Sequence, residues 1–235
     1  MIKAVIFDLD NTLMDFVRMK EESVKAAVDG MIDAGLPMAS EAAEKEIYRI
    51  YDNEGIEYQN VFDHFLTETY GEIDFKILSA GIIAYRRARE ASLVLYPHIR
   101  LTLVKIVKKS KMLAVISDAP RKEAWLRLCA LNIHHYFDHV LTFDDTGQLK
   151  PSPVPFERVL SMLGIDPDEA LMVGDWPERD IAGASRVGIR TVFARYGNTF
   201  GNLESGADYE IDDIVELLAI IDEIDGRTKK GGGRS

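Results

Sequence analysis

Val5-Ile6-Phe7-Asp8-Leu9-Asp10-Asn11-Thr12-Leu13 is the stretch whose reading decides the fold. Just upstream, Ile2 through Phe7 is apolar except for Lys3, the pattern of a strand buried on both faces of a parallel sheet. The run stops at two carboxylates separated by one residue. Side chains alternate along a strand, so Asp8 and Asp10 are expected to converge on one small volume where the strand opens into a loop. Ligands of open α/β sheets bind there, beyond the carboxyl ends of the strands. Two adjacent carboxylates repel each other unless something compensates, and a hard divalent ion with oxygen ligands, such as Mg²⁺, does so. One carboxylate can then attack an electrophile while the other moves a proton. Taken alone, Asp-x-Asp before Asn is equally the pattern of a structural turn. The rest of the chain has to decide.

The chain has 235 residues, 47% of them hydrophobic and 29% charged, enough for one large domain or a domain carrying an insertion. Its formal net charge of −11 argues against affinity for phosphate backbones, so no nucleic-acid partner is expected. The single cysteine, Cys129, forbids an internal disulfide and fits a reducing, cytoplasmic setting. It lies in the apolar run Leu126 to Leu131 and reads as packing. No Cys/His spacing suggests zinc. The N-terminal apolar run lacks a basic flank and is too short to span a bilayer, so neither a signal peptide nor a membrane partner is expected. The tail, residues 229–235, has no apolar residue and is expected to fray.

After Thr12 the apolar residues take helical spacing. Val17, Val24, Ala27, Val28, Met31 and Ile32 mark one helix, stopped by Gly35 and Pro37. A second is expected from Ser40, a third over Tyr58 to Tyr70 and a fourth from Phe75 to about Ala91, with no strand between them. Residues 15–92 therefore read as an all-helical insertion, and residues 1–14 with 93–228 as an α/β core. In the core, strands are expected at Met112–Ile116, Val140–Phe143, Ala170–Val173 and Arg190–Ala194, alternating with helices. Repeated βα units imply a Rossmann-like parallel sheet with helices on both faces.

Polar residues gather at the strand ends. The first strand delivers Asp8 and Asp10, the second Ser117 and Asp118, and a later one Asp175, with Asp180 at the start of the following helix. Lys150 lies in a loop before a proline-rich helix start. A chance surface pattern would scatter these residues, so their recurrence favours an active site over a turn.

These segments carry a resemblance. Phe7-Asp8-Leu9-Asp10-Asn11-Thr12-Leu13, Val115-Ile116-Ser117-Asp118, Lys150-Pro151 and Val173-Gly174-Asp175-Trp176-Pro177-Glu178-Arg179-Asp180 resemble, in order, the four motifs of the haloacid dehalogenase-like hydrolase superfamily. The helical insertion resembles that superfamily's small helical cap. The resemblance implies a Mg²⁺-dependent phosphatase of small phosphorylated metabolites, working through an aspartyl-phosphate. Relatives with such a cap point to sugar phosphates such as glyceraldehyde 3-phosphate.

Asp8 then resembles the nucleophile, and Asp10 the acid that protonates the leaving alcohol and later activates water. Asp8, the Asp10 carbonyl and Asp175 are the implied metal ligands, with Asp180 supporting the metal or its waters. Ser117 and the Asp118 backbone N–H are implied to hold the phosphate. Lys150 is implied to neutralise the phosphate and orient Asp8. Thr12 is expected to tighten the loop, help hold Asp10 and face the substrate. Asn11 stands where many relatives carry Gly, a tolerable exchange because Asn accepts left-handed conformations. Arg18, Tyr48, Tyr51 and His64 are candidates for the inner face of the cap, which is expected to exclude water and select substrate through hinges near Met14-Asp15 and Leu93-Val94. His64 and the Arg86-Arg87-Arg89 run read as a solvated face sooner than as ligand contacts.

Three other readings stand beside the phosphatase. A phosphomutase or phosphotransferase keeps the same residues and differs in what accepts the phosphoryl group. A 2-haloacid dehalogenase attacks carbon, needs no metal and no acid, and lacks the second carboxylate, so Asp10 argues against it. A catalytically silent binding module need not keep Asp8, Asp10, Ser117, Lys150 and Asp175 together. Oligomeric state, monomer or homodimer, is left open.

Overall fold

A computed structural model of the chain describes residues 1–199, 201 and 204–231. It divides into two compact units, one formed by Met1–Asp15 with Leu95–Ser235 and the other by Phe16–Val94.

The first unit is built on six parallel strands: β1 (Ala4–Phe7), β2 (Met112–Ile116), β3 (His139–Leu141), β4 (Ala170–Gly174), β5 (Arg190–Ala194) and β6 (Tyr209–Ile211). Their order is β3-β2-β1-β4-β5-β6, so the chain reverses its direction of growth between β1 and β4. Such a switch point opens a crevice at the carboxyl edge. The register sets Phe7 against both Val115 and Val173, which brings the ends of β1, β2 and β4 side by side.

On one face Ala4, Ile6, Ala114, Ile116 and Met172 pack against Phe156, Val159, Leu160 and Leu163 of α8 (Pro153–Leu163) and Ala184 of α9 (Ala182–Arg186). The alternate residues Val5, Phe7, Leu113, Val115, Leu171 and Val173 are fully buried as well, as a sheet covered on both faces requires. Four more helices complete the unit: α5 (Ile99–Lys108), α6 (Arg121–Ala130), the short α7 (Phe143–Thr146) and α10 (Leu217–Gly231). Helix α5 packs on β2 and α10.

The Rossmann-like α/β fold read from the sequence is the fold observed. Several details differ. Strand β6 went unread because Glu210 interrupts it and Asp208, Asp212 and Asp213 flank it, so no apolar run marks it. The strand expected at Val140–Phe143 is β3, His139–Leu141, because Thr142 and Asp145 form a capping box that starts a helical turn at Phe143, closed by left-handed Gly147. Cys129 is exposed, because an apolar run wound into a helix turns part of its length to solvent. Helix α10 continues through residues 229–231, inside the expected tail, and residues 232–235 lie outside the described residues. No described helix is long and apolar enough to cross a membrane.

The second unit holds α1 (Phe16–Asp33), α2 (Ser40–Glu54), α3 (Val61–Tyr70) and α4 (Phe75–Ser92) around its own apolar cluster of Val24, Val28, Met31, Ile47, Phe65 and neighbours. Asp74 caps α4 by accepting from the backbone N–H groups of Lys76 (2.8 Å) and Ile77 (3.2 Å). Gly81 lies so close to Met31 that an added Cβ would fall 2.3 Å from the Met31 Cε, which explains a glycine inside a helix where α1 and α4 meet.

Candidate active site

The residues that meet at the carboxyl edge of the sheet, Asp8, Lys150, Asp175 and Asp180, belong to the first unit. Asp8 follows β1 directly and its backbone N–H donates to the Val173 carbonyl (2.9 Å), so the register continues one residue past the strand. The chain then tightens: the Leu13 N–H reaches back to the Leu9 carbonyl (3.0 Å), and Asn11 sits at φ +60°, a conformation Asn tolerates. Gly197 lies against this turn, where a Cβ would come within 1.6 Å of the Asn11 carbonyl oxygen, so only glycine fits.

The strand itself ends at Phe7, and the two carboxylates that follow it take different cations. Asp8 is buried and bonds Lys150 Nζ through Oδ1. Asp10 accepts from Arg127 Nη1 at 2.8 Å through Oδ2. They stay near enough for the Asp10 charge to add to the upward push on Asp8.

The carboxylates that do gather are Asp8, Asp175 and Asp180, each offering an oxygen within 4.8 Å of the others and each buried. Asp175 ends β4. Asp180 is carried back toward it by a π-helical turn, Pro177–Ile181, an arrangement that recurs at functional sites. A Cβ at Gly174 would come 2.4 Å from the Asp180 side chain, so glycine there admits the carboxylate. The other Asp180 oxygen accepts from the Trp176 N–H (3.1 Å). Thr12, fully buried, donates its hydroxyl to Asp175 Oδ1 (3.0 Å), so it holds Asp175, where the expectation had it holding Asp10. The Tyr196 hydroxyl in turn donates to the Thr12 carbonyl (2.9 Å).

Lys150 is the cation of this cluster. Its Nζ donates to Asp8, to Asp180 Oδ1 (2.7 Å) and to the Ile116 carbonyl (3.3 Å), with the residue 4% exposed. Burial alone would lower the ammonium, but Asp180 and Asp8 outweigh it and hold Lys150 above the usual lysine range. For Asp8, burial dominates, and with Asp180 and Asp10 it pushes the carboxyl up to about 8 against the pull of Lys150. Asp175 is pushed up to about 9, first by burial and then by Asp8 and Asp180. Three buried carboxylates thus share one ammonium, and charge remains to be offset. The donors are all hard oxygens at one point, and they fit a divalent ion of the Mg²⁺ type.

Ser117 and Asp118 stand beside this cluster at the end of β2. Ser117 is buried, and its Oγ accepts from the Ala119 N–H (3.1 Å), a turn-closing bond. The Asp118 side chain does more than expected. One oxygen accepts from the Lys150 N–H (2.9 Å) and the other from Arg179 Nη1 (3.2 Å), whose guanidinium lies 3.8 Å over the Trp176 ring. Asp118 therefore ties the Lys150 loop to the loop after β4.

Sequence reasoning missed Arg127, a buried arginine on α6. Its only local signal is its place four residues after Glu123, another buried charge on the same helix face.

In the second unit the four cap candidates part company. Tyr51 is 4% exposed and belongs to that unit's core. Tyr48 packs on the same core, half-buried. His64 is half-buried, edge-on to Tyr58 and 3.6 Å from Glu68. Arg18 is exposed and pairs with Glu22 (3.2 Å). Arg86 and Arg87 are exposed and Arg89 half-buried. Lys20 was not expected: it is buried at α1, bonds the Tyr85 hydroxyl (3.2 Å) and lies 4.1 Å from the centre of the Tyr51 ring.

A cluster of buried carboxylates around a buried lysine, at the switch point of a parallel sheet, is the arrangement of a candidate active site. The chain belongs to the haloacid dehalogenase-like hydrolase family, whose model matches residues 5–194. It is 33% identical to the glyceraldehyde 3-phosphate phosphatase of Pyrococcus furiosus over 233 residues, 97% of each chain. It is 34% identical to the protein of the same name from Methanothermobacter thermautotrophicus, over 94% of this chain and 100% of that one. Among solved structures, a putative beta-phosphoglucomutase from Thermotoga maritima superposes with a TM-score of 0.74 at 22% identity, covering 95% of this chain and 100% of the other. That likeness is one of fold.

Proposed function

We propose that this protein is a Mg²⁺-dependent phosphatase of small phosphorylated metabolites, with glyceraldehyde 3-phosphate the lead substrate. The observation that carries the reading is a pair of neighbouring carboxylates each with its own cation, Asp8 on Lys150 and Asp10 on Arg127. Phosphomonoester hydrolysis needs a nucleophile and a separate proton carrier. A dehalogenase attacking carbon has no use for the second carboxylate.

In this reading an Asp8 oxygen attacks phosphorus, the bond to the leaving oxygen breaks, and Asp10 gives that oxygen its proton. The product is an aspartyl-phosphate on Asp8. Asp10, now ionised, takes a proton from water as the water oxygen attacks phosphorus, and Asp8 is released with inorganic phosphate. Lys150 directs Asp8 and offsets phosphoryl charge. Ser117 and the Asp118 N–H hold phosphoryl oxygens, and Thr12 holds the loop facing them. Asp8, the Asp10 carbonyl, Asp175 and Asp180 are the groups that would hold Mg²⁺, which supplies charge neutralisation when bound. The helical unit, residues 15–92 in the sequence reading, is assigned the selection of substrate. The single cysteine suits a cytoplasmic setting.

Two measurements test this. A panel of phosphorylated metabolites is assayed for released phosphate with and without Mg²⁺, and the trapped phosphoenzyme is mapped by mass. A phosphoryl group on any residue other than Asp8, or activity confined to haloacids, would sink the proposal.

A further inference from the structure

We propose that Arg127 is a positioning residue for Asp10, fixing the direction of the carboxylate that passes the proton. The inference rests on the function proposed above. The Arg127 side chain is 4% exposed and the Asp10 side chain 23%, with Nη1 2.8 Å from Oδ2. Burying a guanidinium is costly unless it is paired, so its placement against Asp10 has to be held by the rest of α6. That helix begins three residues after Asp118, and the sheet edge that ends in Ser117 therefore anchors it. A guanidinium keeps its charge at any working pH, and its rigid fork limits a bound carboxylate to a few directions.

Asp10 has particular need of such a guide. It serves two different oxygens in turn, the leaving one and the attacking one. A carboxylate free to rotate would spend part of each half-reaction pointing elsewhere. Asp8 is directed by Lys150, from the loop before α8, and Asp10 by Arg127, from α6. Separate cations keep each carboxylate from taking the other's partner.

A double-mutant cycle tests the link, using the full chain loaded with Mg²⁺ and an aryl phosphate as substrate. Arg127→Met is expected to lower kcat by about 10- to 100-fold with KM within about twofold, the effect of a misdirected group. Arg127→Lys should recover part of the loss. In the Asp10→Asn background, Arg127→Met should cost less than about twofold, because the group it guides no longer carries a proton. Equal losses in both backgrounds, or a change in KM alone, overturn the inference and leave the phosphatase reading standing. Near-native turnover of Asp10→Asn overturns the acid–base reading itself, and this inference with it. Circular dichroism checks each fold. If Arg127→Met does not fold, Arg127→Lys, which keeps the charge but not the fork, goes through the same cycle with the same criteria.

Discussion

The sheet unit buries Asp8, Lys150, Asp175, Asp180, Glu123 and Arg127, all 7% exposed or less, whereas among the described residues of the helical unit the one comparably buried charge is Lys20. Lys20 is met by a tyrosine hydroxyl and the faces of Tyr51 and Tyr85, neutral partners that soften a single charge inside an apolar cluster. In the sheet unit like charges are set against each other, with burial pushing Asp8 and Asp175 up. Packing alone would never favour that arrangement. The sheet unit crowds like charges at one point, while the helical unit sets a lysine against tyrosines.

The largest expected effect breaks this contrast if it fails. Asp8→Asn should lower aryl phosphate turnover by at least about 10³-fold, since the amide is nearly isosteric but a poor nucleophile. Steady-state rates together with circular dichroism check it; near-native turnover in a folded variant removes the chemical role assigned to the cluster.

Removal of metal comes next. Excess chelator should abolish turnover and Mg²⁺ restore it. Stability carries a second signature. Asp8 and Asp175 have folded-state pKa values raised above the ordinary 3.8, to about 8 and about 9. The unfolded carboxyls ionise near pH 4, while the folded ones resist until pH 8 or 9, so the unfolded state binds fewer protons in between. The metal-free protein should therefore lose stability as pH rises through that window, and Mg²⁺ should raise Tm more at its upper end than at its lower. A Tm gain from Mg²⁺ that did not vary with pH would disconnect the metal from these carboxylates.

Lys150→Ala removes the ammonium that Asp8 and Asp180 share and leaves two carboxylates without it. It should depress every phosphorylated substrate by a similar factor, about 10²-fold or more, because the phosphoryl group is common to all. It should also lower Tm in the absence of metal, the usual result of removing one partner from a buried charge cluster. Unchanged Tm and turnover would mean that the cluster does not need its cation.

How far the chain could be read beforehand follows the range of the interactions. Strand positions β1, β2, β4 and β5 are legible because apolar runs are local signals, and three of the four motifs fall where those runs stop, Lys150-Pro151 being the exception. Strand β6, Tyr209-Glu210-Ile211 between acidic residues, has no apolar run to leave such a signal. The bond between Arg127 and Asp10 spans 117 residues, and no local pattern carries it. Alternation sets Asp8 and Asp10 near one another, but it carries no sign that each takes its own cation, Lys150 and Arg127. By its local pattern Asp180 reads as a helix-start acid, and only the family resemblance assigns it to the metal. Its arrival at Asp8 and Asp175 depends on a π-helical turn and on the missing Cβ of Gly174, which show only in three dimensions.

The smallest expected effects lie in the helical unit, and they sharpen the contrast. Tyr51 is a core residue there, so Tyr51→Ala should cost about 3 kcal/mol of stability and says nothing about substrate. Arg18 and His64 keep exposed side chains, at 64% and 36%, so their removal should cost little stability. If the helical unit selects substrate, Arg18→Ala and His64→Ala should leave a small aryl phosphate within about twofold and change the ratio of kcat/KM between glyceraldehyde 3-phosphate and other metabolites. A lost polar contact is worth about 1 kcal/mol, which sets that change at roughly fivefold. The aryl phosphate serves as the internal control, since it offers the phosphoryl group without the rest of a metabolite. Lys150→Ala should lower all substrates together and keep their order. The reverse pattern, with Lys150→Ala reordering the panel and the helical variants lowering it uniformly, would place selectivity in the sheet unit and undo the division of labour.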